Sequence, residues 1–128
     1  MKIILFAAIL AVVLASFGCK DSARNYSVQF IDRNTALSLK NKPDPLRLII
    51  EIGRDGKITL NKIETGTVND PTFLSKRLKT IFEDREKALI IGREVIIDPQ
   101  YEIKDGDLEN LLESLGDAKA APILLIKN

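Results

Sequence analysis

The sequence predicts an α+β domain: a two-layer arrangement in which two helices lie on one face of a mixed four-stranded sheet, in the order β-β-α-β-α-β. Three observations predict it. Leu46, Leu48, Ile50 and Ile52 alternate with Arg47, Ile49 and Glu51, the period of two of a strand that buries one face. Leu108, Leu111, Leu112 and Leu115 fall at i, i+3, i+4 and i+7, which sets four leucines on one stripe of a helix. That stripe lies between two apolar runs of strand length, Val95 to Ile97 and Ile123 to Ile126. Strands joined through a helix in a small domain are normally parallel, so the helix must cross the sheet they share.

The chain begins Met1-Lys2 and continues with an unbroken apolar and small-residue run from Ile3 to Gly18. One positive charge, an apolar run below the roughly 17 to 25 residues that span a bilayer, then small residues, is the layout of an export segment. Residues 1–18 are therefore expected to be a signal peptide or membrane segment. Cys19, the one cysteine, follows directly and resembles the lipid-attachment cysteine of bacterial lipoproteins, although Ser16 and Phe17 stand where an aliphatic and a small residue are usual. A lipoprotein, an ordinary cleaved signal peptide and an uncleaved anchor are all open readings. Each places the rest of the chain outside the cytoplasm.

Residues 19–45 are expected to form a tether and extended arm, because Lys20 to Tyr26 and Asp32 to Asp44 are polar and without period. Between them, Val28, Gln29, Phe30 and Ile31 form a short extended segment able to pair with a sheet edge, here or in a partner. The domain proper is placed at 46–128. Its first two strands surround Gly53-Arg54-Asp55-Gly56, and Asp-Gly between alternating runs signals a hairpin whose turn needs positive φ. Asp70-Pro71 reads as an N-cap and first helical position for a helix striped by Leu74, Leu78, Ile81 and Phe82. Ala88 to Ile91 fits either a last helical turn or a short strand. For the leucine-striped helix, Asp105 or Asp107 is the expected N-cap and Gly116 the expected C′ residue.

Charge and composition exclude more than they assign. The chain has 19 basic and 18 acidic residues; without Lys2, the part from Cys19 onward carries 18 of each and offers no basic excess for nucleic acid. With no histidine, neither a Ser-His-Asp nor a Cys-His arrangement can be assembled, nor a zinc site that uses histidine. Asp105, Asp107 and Glu109 do not make a calcium loop, since Asn110 and Gly116 occupy the positions that need glycine and glutamate. Asp98-Pro99 reads as the end of a strand. No catalytic, cofactor-binding or metal-ligating residue is assigned, and a non-enzymatic binding role is expected.

The ordered set of segments, Val28 and Phe30, then LIIEIGRDGKITLN, then the Leu74 and Leu78 stripe, then VIIDPQYEIKDGDLENLLESL and the closing ILLI, resembles the periplasmic domain of the ExbD/TolR family. That resemblance implies an accessory binding subunit of a proton-motive-force-driven envelope transport complex. It implies a homodimer on the periplasmic side of a membrane, with a motor-channel subunit, an envelope protein or peptidoglycan as partner. The family carries a proton-transferring aspartate in its transmembrane helix. Ile3 to Gly18 has no ionisable residue, so the proton step is not expected of this chain. A stand-alone lipoprotein of the same fold, with a structural or peptidoglycan-binding role, is the alternative.

Overall fold

The computed structural model describes residues 27–127. Among them the order is β1 (Val28–Asp32), α1 (Arg33–Asn41), β2 (Ile49–Ile52), β3 (Lys57–Leu60), β4 (Ile63–Thr67), α2 (Thr72–Lys87), β5 (Val95–Pro99), α3 (Asp105–Asp117) and β6 (Ile123–Lys127). The strands make a single sheet in the order β1-β6-β5-β2-β3-β4. β1, β6, β5 and β2 run parallel, and β3 and β4 continue the sheet antiparallel.

The class is α+β, but the expected four-stranded sheet with two helices is wrong: there are six strands and three helices among the described residues. β4 escapes the sequence pattern because Ile-Glu-Thr-Gly-Thr has no apolar alternation; its one buried residue is Thr65, whose Oγ1 donates to the Ile58 carbonyl at 3.4 Å. The polar stretch after Asp32, expected to be an arm, contains α1. Asp32 caps that helix by accepting from the Thr35 amide at 2.6 Å, and Ala36 seats it on Ile96, Leu124 and Ile126.

Two cores result. On one face, Ile50, Ile52, Ile58, Val95, Ile97 and Ile123 meet Leu74, Leu78 and Phe82 of α2 and Leu111 and Leu115 of α3. Each fully buried aliphatic side chain there contributes roughly 1.5–3 kcal/mol. On the other face lies the smaller cluster under α1. Consecutive apolar residues in β5 and β6 are buried on alternate sides, so these central strands need cover on both faces.

The β2–β3 hairpin is as expected, with Ile50 opposite Leu60 and Ile52 opposite Ile58. Gly56 takes φ +82° at its turn, and a Cβ there would press to 3.3 Å from Val68. The helix ends differ from expectation by a residue or more. Pro71 is the N-cap of α2, while Asp70 sits one residue earlier and accepts from Thr72 N at 3.3 Å and Thr72 Oγ1 at 2.7 Å. Lys104 is the N-cap of α3; Asp105 and Asp107 lie in its first turn, where negative charge suits the helix dipole without capping. Gly116 is inside α3, and Lys119, at φ +61°, is the left-handed residue that ends it. Ala88 to Ile91 is neither helix nor strand: Leu89 takes φ +63° and closes α2.

Candidate functional site

The segment expected to supply a strand, Val28, Gln29, Phe30 and Ile31, lies in β1, where it pairs in parallel with this chain's own β6. The Ile123 amide donates to the Ser27 carbonyl at 2.8 Å, so the backbone groups of Ser27, Gln29 and Ile31 face β6. Those of Val28 and Phe30 therefore point away from the sheet. Among the described residues β1 is a sheet edge with an open row of donors and acceptors.

Beside that edge the surface is apolar. Phe30 is 63% exposed, and Lys127 Nζ stands 5.1 Å above its ring. A groove of about 500 Å³ runs from Phe30 past Leu125 and Leu108 to Tyr101, Ile103 and Pro99. It lies at the carboxyl ends of β5 and β6, between the edge strand and the start of α3. An edge strand beside such a groove can take an extended peptide, with backbone hydrogen bonds giving affinity and the groove reading side chains.

On the opposite face the structure assembles an ionic cluster. Asp98, on β5, is only 2% exposed and accepts from Arg33 of α1 at 2.8 Å and from Lys40 of the same helix. Burial pushes its carboxyl up, but the hydrogen bonds and charges of Lys40 and Arg33 outweigh this and hold it below the usual carboxylate range. Its neighbour across the β2–β5 ladder, Glu51, pairs with Lys62 at 2.7 Å and raises that ammonium's pKa by the hydrogen bond it accepts. Asp98 thus does more than end a strand: it pins α1 to the sheet. Sequence reading missed this because Arg33 and Lys40 lie far from Asp98 along the chain and inside a stretch taken to be an arm.

Cys19, the expected lipid-attachment residue, lies outside the described residues. Among the described residues no three His, Cys, Asp or Glu side chains are grouped to hold a metal ion, and no helix is long and apolar enough to cross a membrane. The open edge with its groove and the ionic cluster are the two features that stand out. Comparison with protein-family models, curated proteins and solved structures finds no match.

Proposed function

We propose that this chain is a membrane-tethered, non-enzymatic binding protein, an ExbD/TolR-like accessory subunit of a proton-motive-force-driven envelope transport complex that acts on the periplasmic side as a homodimer. The observation that carries the binding role is the open edge of β1 beside the groove at Phe30. Support for the tether comes from the apolar run Ile3 to Gly18 followed by Cys19. The family assignment draws on the ordered segments alone. A partner strand, from a second copy, a motor-channel subunit or another envelope protein, adds to β1 through the outward N–H and C=O of Phe30.

A second reading is favoured by the lack of any ionisable residue in Ile3 to Gly18: a stand-alone lipoprotein of the same fold with a structural or peptidoglycan-binding role.

The test is retention of partners from envelope fractions by the full chain and by its Phe30→Pro variant. Proline there removes an outward N–H and leaves the bonds to β6 intact. Loss of a retained protein with Phe30→Pro supports edge binding. Equal retention of a protein by both forms contradicts it, and retention of peptidoglycan alone selects the second reading.

A further inference from the structure

The four parallel strands all start at one end of the molecule, and the chain enters the fold there, at Ser27. α2 and α3 both finish at that end. So does the turn between α2 and β5, which carries Leu89 and Ile91, 89% and 90% exposed. Large aliphatic side chains on a soluble surface are commonly covered in part, and two this bare within three residues call for a partner.

This turn is braced. Leu89 N donates to Glu86 O at 3.0 Å and Ile90 N to Arg85 O at 2.8 Å, which fixes the end of α2. The Arg85 guanidinium donates to the Gly92 carbonyl at 3.2 Å and to the Leu46 carbonyl, tying the turn to the segment before β2. Arg93 lies 5.1 Å over the Phe82 ring and pairs with Glu86. The two aliphatic side chains are thus held outward. Leu46, exposed as well, lines a shallow pocket with Ile90 and Gly92 of this turn. Lys87 and Lys119, at the ends of α2 and α3, are exposed cations on the same end; Asp44, Glu83, Glu86, Glu94 and Asp117 are acidic residues there.

We propose that this end of the domain docks on the bilayer surface, with Leu89 and Ile91 entering the interfacial region and Lys87 and Lys119 at the level of anionic headgroups. The short length of chain before Ser27 favours a bilayer as the occupant. Only eight residue steps separate Cys19 from Ser27, a reach of no more than about 28 Å at roughly 3.5 Å per residue. A chain anchored through Ile3 to Gly18 or Cys19 therefore keeps the Ser27 end within that distance of the membrane, and nearer to it than the carboxyl ends of the strands on average. The inference rests on the tether proposed above. Exposed aliphatic residues are what such a surface retains, by the apolar area they bury in it.

The chain has no tryptophan, so a single one reports on its own position. The full-length Ile91→Trp variant is reconstituted in phosphatidylcholine/phosphatidylglycerol vesicles with brominated acyl chains. Phe73→Trp, in the exposed first turn of α2 at the opposite end, serves as the control. Docking predicts that the chain floats with the vesicles, that the Ile91→Trp indole loses most of its emission to the brominated lipid, and that Phe73→Trp is quenched by aqueous iodide only. A floating chain whose Ile91→Trp indole is quenched by iodide alone overturns docking and leaves the tether standing. An indole reached by neither quencher means that protein covers the turn, which also overturns docking. A chain that fails to float overturns the tether and docking together.

Discussion

Asp98 shows how one residue sets the position of an element. Because Arg33 and Lys40 keep 38% and 23% exposure, either can turn partly to water when the carboxylate is lost. Asp98→Asn is therefore expected to cost about 1–3 kcal/mol, below the loss for a wholly buried pair; urea unfolding checks this. The pH dependence has a definite sign. The folded carboxyl titrates below its ordinary value, so the unfolded chain binds more protons in that range. The stability it supplies is complete above the ordinary carboxylate range and is lost as pH falls through the folded value. Urea midpoints followed downward from neutral pH should fall less steeply in Asp98→Asn than in the parent. Lys119 supplies a prediction of opposite sign. Its φ of +61° costs a lysine more than a glycine, and its side chain is exposed, so Lys119→Gly should stabilise by about 0.5–1 kcal/mol, read as a raised Tm.

The elements differ in how plainly their residues announce them. β2, β3 and α3 were legible because alternation, an Asp-Gly turn and a leucine stripe report one-sided burial directly. α1 was not, since only Ala36 of its nine residues is buried and its seat depends on an ion pair with a residue far along the chain. A signal for it was nevertheless present. Val95 to Ile97 and Ile123 to Ile126 do not alternate, and a strand apolar on both sides demands cover on both faces. β4 had no such signal, because a Thr-rich edge strand gains its place from the ladder and not from apolar burial. The open edge could be suspected from Val28 to Ile31, whereas the groove beside it required Leu108 of α3, Leu125 of β6 and Tyr101 of the β5–α3 loop to converge. Two substitutions separate the main core from the lesser one. Leu115→Ala, at the fully buried last position of the α3 stripe, should cost about 2–5 kcal/mol in global unfolding. Ala36→Glu should instead free α1, speeding hydrogen exchange of its amides while those of β5 and β6 remain protected.

At the scale of the whole molecule, the sheet separates three surfaces. One end, where the chain enters and Leu89 and Ile91 project, is suited to a bilayer; the β1 edge is suited to a strand; and the β4 edge closes the far side behind β3. A tether at the first leaves the second free to meet a partner beside the membrane. The β1 edge carries the proposed function, and photo-crosslinking at Phe30 tests it most directly. With a photoreactive phenylalanine analogue at Phe30 in cells of the native host, irradiation is predicted to join the chain to an envelope protein or to a second copy. The same analogue at Leu37, exposed on α1, should give no such adduct. Absence of any adduct at Phe30, or the same adducts from both positions, would contradict recognition through the β1 edge.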